Sequence, residues 1–153
     1  FKIIFFIMSL PNDLLELFTS EYDKLENLVN AMNFDDELNV NQIVEVYYQI
    51  TNISSMIIVM KQQLDQTNDI ASHEKILNTE KFISDKFNSD IHPKIMKHIT
   101  NSISDITSNL QSINSEQKSK ETIENEAKLY EKLREIMSTK EFVKQYDAGM
   151  SHD

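Results

Sequence analysis

Glycine and proline are nearly missing from this chain, which has one glycine and two prolines in 153 residues. Tight turns, β-hairpins and phosphate-binding loops are built largely from these two residues. A β-rich or α/β fold of this length would need more of both. The scarcity therefore favours long helices joined by a few polar connections, and a hydrophobic fraction of 40% is enough to give such helices a core.

Cysteine is absent and positive charge is scarce. Without cysteine the chain has no disulfide framework, no thiolate nucleophile and no cysteine-based zinc site. The net charge of −10 disfavours nucleic acid as a partner, because neutralising phosphates needs clustered lysine and arginine. It equally disfavours an anionic membrane surface. These absences suit the cytoplasm, with the nucleus as the alternative.

The sequence also lacks the patterns of a catalytic or metal site. The four histidines, His73, His92, His98 and His152, are predicted to be solvated. His92 and His98 are six residues apart, so on one helix they point to different faces and cannot share a metal. The acidic stretch Asp35–Glu37 lacks the glycine and ligand spacing of a calcium loop and is interpreted as a helix-capping turn. We expect no catalytic residue, no metal, no cofactor and no enzymatic activity.

The most apolar stretch is "VEVYYQITNISSMIIVMKQQL" (Val44–Leu64). It predicts a helix with a heptad seam, a line of apolar side chains along one side of the helix. Polar residues such as Asn52 and Ser54 interrupt it too often for a bilayer span, and a strand would alternate by two. Its apolar positions recur at alternating steps of three and four. They are Ile43, Val46, Ile50, Ile53, Ile57, Met60 and Leu64. Two interpretations are open: an internal core helix, or a helix shared with another subunit.

Comparable seams recur along the rest of the chain. The first predicted helix starts near Pro11 and carries Leu14, Phe18, Leu25, Leu28 and Met32, with Glu21 as the one polar residue in the series. A shorter helix is predicted from Ser72 to Asn88. The next predicted helix starts at Pro93, and its apolar positions are Met96, Ile99, Ile103, Ile106, Leu110 and Ile113. The last predicted helix runs from about Thr122 to Tyr146. It is predicted to bury Ile123, Ala127, Tyr130, Leu133, Met137 and Phe142. The connections are 33–39, 65–71, 88–94 and 114–121, the last being either a loop or a solvated part of a continuous helix.

The predicted fold is all-α, an elongated helical bundle or coiled coil of three to five helices. Residues 1–8 ("FKIIFFIM") are expected to form an N-terminal extension outside the fold, since the apolar run is too short for a bilayer span and no small-residue cleavage site follows it. Residues 9–147 are predicted to form one helical domain, and residues 148–153 a flexible tail.

Burial of these seams is what would stabilise such helices. Burying one Ile or Leu side chain stabilises the folded state by on the order of 1.5–3 kcal/mol. Leaving half of the large apolar residues of the second helix exposed to water would therefore lose ~10 kcal/mol of stability. The hypothetical partner interface is therefore the seam from Ile43 to Leu64, together with Met96, Ile99, Ile103, Ile106 and Leu110, and with Tyr130, Leu133, Met137 and Phe142. The last four lie near Lys128, Lys132, Arg134, Lys140 and Lys144, which favours docking against acidic surfaces.

Three segments resemble the family of the small shoulder subunit of dynactin, in that family's order. They are "YDKLENLVNAM" (Tyr22–Met32), "IVEVYYQITNISSMIIVMKQQL" (Ile43–Leu64) and "STKEFVKQYD" (Ser138–Asp147). The resemblance implies an all-helical subunit that entwines with dynamitin and the arm-bearing subunit in the shoulder of dynactin, the cofactor of cytoplasmic dynein. It implies a cytoplasmic, cytoskeleton-associated location and no catalytic or cofactor residue.

Three functions are consistent with these patterns. The first is a non-enzymatic subunit of a multiprotein helical assembly with other α-helical chains as partners, either the dynactin shoulder or another coiled-coil complex such as a kinetochore complex. The second is a self-contained helical-bundle adaptor that binds a partner helix in a groove. The third, an enzyme with a bundle-core site, needs inward-facing Glu-x-x-His pairs, and none lies on a predicted core face.

Overall fold

The described residues are almost entirely helical. The computed structural model describes residues 12–64, 69–113 and 119–150, of which about 90% are helical and none lies in a β-strand. The predicted all-α class is therefore confirmed, and a helical bundle fits it. The elements are α1 (Asn12–Asn30), α2 (Val40–Leu64), α3 (Ile70–Lys81), a π-helical segment (Phe82–Ile91), α4 (His92–Gln111) and α5 (Lys120–Met150). The predicted extension 1–8 and the predicted helix start at Pro11 lie outside the described residues.

Three helices begin at a side chain that caps their first turn. The caps are hydrogen bonds from Gln42 N–H to Asn39 Oδ1 (3.1 Å), from Ser72 N–H to Asp69 Oδ1 (3.2 Å) and from Thr122 N–H to Ser119 Oγ (3.1 Å). Each satisfies a backbone N–H that the helix leaves without an internal partner. These caps explain why α3 starts two residues before the predicted Ser72, and α5 two residues before the predicted Thr122.

The acidic turn between α1 and α2 does not cap a helix through its carboxylates, contrary to the prediction. Asp35 donates its backbone N–H to Asn33 Oδ1 (2.9 Å), and Asn33 Nδ2 donates to Asp36 Oδ2 (2.8 Å). These bonds close the turn on itself, while Asn39 supplies the cap of α2. Glu37 instead forms an ion pair with Lys132 of α5.

The connection predicted for residues 88–94 is wrong, because α3, the π segment and α4 form one continuous helix. The π segment ends at Ile91, two residues before Pro93, and His92 N–H bonds to Phe87 O, five residues back. In an α-helix the proline ring clashes with the carbonyl four residues back and supplies no N–H. The wider π turn gives the ring room, so the chain remains helical where local rules predict a break.

The contacts of the chain group its residues into two compact units. The first comprises the residues up to Met32 with Glu45–His92, and the second comprises Asn33–Val44 with the residues from Pro93 onward. The buried apolar residues of the first unit are Phe18, Leu25, Val29, Val46, Tyr47, Ile50, Ile53, Ile57, Met60, Leu64, Ile76, Phe87 and Ile91. Those of the second are Leu38, Ile43, Ile95, Ile99, Ile106, Ile136 and Val143.

The second unit ends in α5, the longest helix of the described chain. Of the stretch 114–121, Lys120 and Glu121 are helical, whereas residues 114–118 lie outside the described residues. At its other end α5 continues past Asp147 and ends at Met150. Residues 151–153 lie outside the described chain.

Candidate partner-binding surface

The α2 seam is core. All seven predicted interface residues from Ile43 to Leu64 are buried, and the most exposed of them, Ile57, retains only 6% of its surface. The structure therefore agrees with the interpretation of α2 as an internal core helix, and a partner could contact this seam only if the fold opened. In α4, Ile99 and Ile106 are likewise buried, whereas Met96, Ile103 and Leu110 are half-buried.

The opposite side of α2 is apolar and exposed. Tyr48, Ile58 and Val59 keep 64%, 61% and 48% of their surfaces. Within the described residues α2 is also the one helix long and apolar enough to cross a membrane, although 44% of its most apolar stretch is buried. A core helix of a soluble protein meets the same criterion, so this property alone does not indicate a span.

Two apolar stripes run along α5, and the prediction selected the wrong one as buried. The inner stripe is Leu129, Ile136 and Val143, of which Ile136 and Val143 keep 1% and 0% of their surfaces. The outer stripe is Ile123, Tyr130 and Met137, which keep 54%, 51% and 52%. Both stripes repeat every seven residues about 100° apart around the helix, so periodicity cannot tell which faces the core. Of the other residues predicted to be buried, Ala127 is exposed, and Leu133 and Phe142 are half-buried.

A shallow groove follows the middle of the outer stripe. It is lined by Tyr130, Leu133, Arg134, Met137, Ser138 and Glu141. Arg134, the single arginine of the chain, is exposed on the groove, and Lys144 lies 3.9 Å from Glu141. α5 holds six of the 15 basic residues and seven of the 25 acidic ones, so it is close to neutral in a strongly acidic chain. The predicted basic character of this helix is therefore relative to the rest of the protein.

A buried polar contact joins α1 to α2. The Gln49 side chain, only 6% exposed, donates from Nε2 to Glu21 Oε2 (2.6 Å) and to the backbone oxygen of Glu21 (2.8 Å). Asn52 Nδ2 lies at the edge, 3.4 Å from the same carboxylate oxygen. Glu21 is the one polar residue of the α1 seam, and Gln49 is the residue that satisfies it. A polar pair of this kind stabilises one register of two helices over its neighbours.

Replacing Gln49 by leucine is expected to destabilise the protein by about 1–3 kcal/mol, because the half-buried Glu21 carboxylate loses its donor. The double variant Glu21→Leu/Gln49→Leu should recover most of that loss, since it removes both partners and completes the apolar seam. Urea denaturation of the two single variants and the double variant gives the coupling energy. Asn52→Ala, at the exposed edge, is the control and should change stability by less than about 0.5 kcal/mol. A coupling energy near zero would contradict the pairing.

The first unit also contains a buried aromatic cluster. Tyr47 Oη and His92 Nδ1 lie 2.5 Å apart, and both residues are buried. The ring of Phe87, fully buried in the π segment, packs edge-on against Tyr47 with 5.4 Å between centroids and lies 6.2 Å from His92. Because Tyr47 and His92 are 45 residues apart in sequence, no local signal indicates this contact.

A second aromatic contact ties α1 to the start of the π segment. Tyr22 packs edge-on against Phe82 (5.5 Å between centroids), and Lys75 Nζ lies 4.7 Å from the centre of the Tyr22 ring. Burial, a hydrogen bond to Glu26 and the negative charges of Glu26 and Asp23 raise the pKa of the Tyr22 phenol above its ordinary value. Tyr22 is therefore neutral at physiological pH and packs as an aromatic residue.

The histidines do not all behave as predicted. His73 is exposed, as expected, but His92 is 4% exposed, so its predicted solvation is wrong. His98 is half-buried and packs edge-on against Phe34, 5.9 Å between centroids. His152 lies outside the described residues. Across the described ranges, no three His, Asp or Glu side chains lie close enough to hold a metal ion.

Comparison of the chain with protein-family models, with curated proteins and with solved structures gives no match. The surface must therefore be interpreted from its own geometry. Sequence reasoning placed Tyr130 and Met137 in the hypothetical partner interface and left out Ile123, which is exposed on the same stripe. The signal that could have separated the two α5 stripes was the second seven-residue series, Leu129, Ile136 and Val143.

Proposed function

We propose that the chain is a non-enzymatic structural subunit of a multiprotein helical assembly, and that the outer stripe of α5 docks against a helix of another chain. The observation that carries this proposal is the exposure of three large apolar side chains at seven-residue spacing on one helix. Single exposed apolar residues are ordinary on protein surfaces. A series at heptad spacing forms a continuous line along the helix, and a coiled-coil seam has the same arrangement.

Exposed apolar residues on α3 support the same proposal. Ile70 and Leu77, again seven residues apart, keep 77% and 64% of their surfaces. Together with the exposed side of α2, this gives the first unit its own apolar faces. Several such faces suit a subunit that is covered by more than one helix.

The resemblance of three segments to the small shoulder subunit of dynactin makes the dynactin shoulder the first assembly to test. In this assembly the partners would be dynamitin and the arm-bearing subunit, and the location would be cytoplasmic and cytoskeleton-associated. The third of these segments, Ser138–Asp147, lies in α5 and begins one residue after Met137. A nuclear coiled-coil complex of the kinetochore kind is the alternative assembly.

A self-contained adaptor is the second candidate function, and the burial of the α2 seam favours it. Because the chain itself covers all seven residues from Ile43 to Leu64, this seam does not require a partner subunit. In this function the α5 groove receives one partner helix at a time.

The double variant Tyr130→Glu/Met137→Glu is expected to lose the partner chains while keeping the fold. Both side chains are about half exposed in the free chain, so their replacement should change the melting temperature little. Two carboxylates in the docked seam would each be buried without a partner, which costs several kcal/mol of binding. Affinity purification of the tagged chain, with quantification of stoichiometric partners, measures the loss. Deleting α5 would be less informative, since it would also remove the core residues Ile136 and Val143.

Lys128→Glu is the matched control, because Lys128 is exposed on α5 about 160° around the helix from Tyr130. It should retain the partners. Several helical chains lost together from the variant would support an assembly subunit, whereas loss of a single chain would support the adaptor. If the double variant kept a full set of partners, the α5 docking surface would be wrong. Co-purification of dynamitin with the native chain tests the dynactin proposal separately.

A further inference from the structure

The charges beside the outer stripe change sign along α5. In the N-terminal half, Glu126 lies on one side of the stripe and Glu131 on the other. In the C-terminal half, Arg134 follows Glu131 on its side, and Lys140 follows Glu126 on the other. Glu141 also lies on this face after the midpoint at Leu133, 3.9 Å from Lys144, so together with Arg134 and Lys140 this half is basic on balance, whereas the half before Leu133 is acidic.

Two of these charges have no ion pair within the described part of the chain. Glu131 and Arg134 are exposed, and neither forms an ion pair with any residue in the described part of the chain. Other basic residues of α5 are already engaged, since Lys132 pairs with Glu37 and Lys144 lies near Glu141. Glu131 and Arg134 are thus available to a partner that presents an opposite charge at each position.

A second copy of the same helix presents these charges when it runs antiparallel. A two-fold axis beside Leu133 maps residue 126 onto the height of residue 140, and residue 131 to within one residue, about 1.5 Å, of residue 134. A two-fold axis of this kind keeps each residue on its own side of the stripe. Glu126 then faces Lys140 of the other copy, and Glu131 faces its Arg134, in both directions.

The same axis brings the apolar residues together. Tyr130 of one copy comes to within about 1.5 Å in height of Met137 of the other, and the two Leu133 side chains meet at the axis. In a parallel two-fold pair each residue would instead face the other side of the partner's stripe, so neither Glu126 and Lys140 nor Glu131 and Arg134 would face each other. α5 is also where two acidic chains repel each other least, because the rest of each chain carries nine basic and 18 acidic residues.

We infer that the outer stripe of α5 binds the outer stripe of a second copy of this chain in an antiparallel, two-fold symmetric pair. The inference rests on the proposed docking role of α5 and names its occupant. The apolar centre supplies the affinity, and the four reciprocal charge pairs fix the antiparallel orientation and the register.

Sedimentation of the full-length chain over a range of micromolar concentrations tests the pair. We expect a monomer–dimer equilibrium that Tyr130→Glu/Met137→Glu abolishes. Arg134→Glu should weaken the dimer about tenfold, because two attractive pairs become two repulsive ones. Glu131→Arg should act similarly, and the exchanged variant Glu131→Arg/Arg134→Glu should restore the native dimerisation constant. The exchanged and native chains, when mixed, should each pair with themselves and not with each other.

Three outcomes would overturn the inference: a chain that is monomeric at every concentration, a dimer indifferent to Arg134→Glu, or an exchanged variant that stays monomeric. Circular dichroism of each variant checks that these exposed substitutions leave the helices intact. If the chain is monomeric yet Tyr130→Glu/Met137→Glu still loses other helical partners, the docking role of α5 stands and only the second copy is wrong. If neither measurement changes, the docking role is wrong as well.

Discussion

Replacing Ile50 with aspartate should abolish the cooperative fold of this protein. Ile50 is completely buried at the centre of the α2 seam, and Ile57, one heptad later, is 6% exposed. A carboxylate at either position would be buried without a cationic partner and would also forfeit the apolar contact of the isoleucine, which together cost about 3–5 kcal/mol or more. Because small proteins have a total stability of about 5–15 kcal/mol, either variant should melt far earlier or fail to fold. Thermal melting followed by circular dichroism measures the loss.

The next residue on the same helix supplies the control. Ile58 keeps 61% of its surface, so Ile58→Asp should leave the melting temperature almost unchanged. Asp35→Ala should also do little, since Asp35 lies in an exposed turn. If Ile50→Asp folded normally and instead lost partner chains, the α2 seam would be an interface after all. If Asp35→Ala proved the damaging change, the acidic turn would be a functional site.

The α2 helix could be predicted because the apolar residues of its seam recur without a break along one side of the helix. All seven apolar positions from Ile43 to Leu64 have heptad spacing and all seven are buried. What the seam packs against could not be deduced, since periodicity gives one face of one helix and says nothing about the chain that covers it. The choice between core and interface needed the positions of the other helices.

Two features of the sequence misled for identifiable physical reasons. Pro93 has the local signal of a helix start, but the π segment before it provides room for the ring, so the chain stays helical where the local rule predicts a break. In α5 two stripes of equal periodicity compete, and only the position of the second unit's core decides between Ile136 and Met137. The outer stripe is informative for the same reason: an apolar series that the described residues leave exposed is a candidate for binding another chain.

The aromatic cluster of the first unit illustrates what sequence cannot show at all. Tyr47 and His92 lie on different helices and meet only because α2 packs against the end of the π segment. The sequence predicted that His92 is solvated, but the residue is only 4% exposed. Its environment depends on Phe87, which the π segment directs against Tyr47.

Phe87→Ala is therefore expected to be among the most destabilising single truncations in the chain. Phe87 is fully buried, and removing its ring would leave a cavity beside Tyr47 and His92, at a cost of about 3–5 kcal/mol. For a protein of this size that corresponds to a fall in melting temperature of roughly 10 °C, measurable by calorimetry. Phe82→Ala, in the same π segment but half-buried, is the matched control and should cost clearly less.

Phe87→Leu separates the volume of the ring from its aromatic contacts. Leucine fills much of the space, so the variant should cost about 1.5 kcal/mol or less if filling the core is what matters. A cost close to that of alanine would mean that the edge-on contact with Tyr47, 5.4 Å between centroids, stabilises the site more than its volume does. Equal costs for Phe87→Ala and Phe82→Ala would contradict the burial of Phe87. In that case the π segment would pack through its other face, and the contact between Tyr47 and His92 would need a different support.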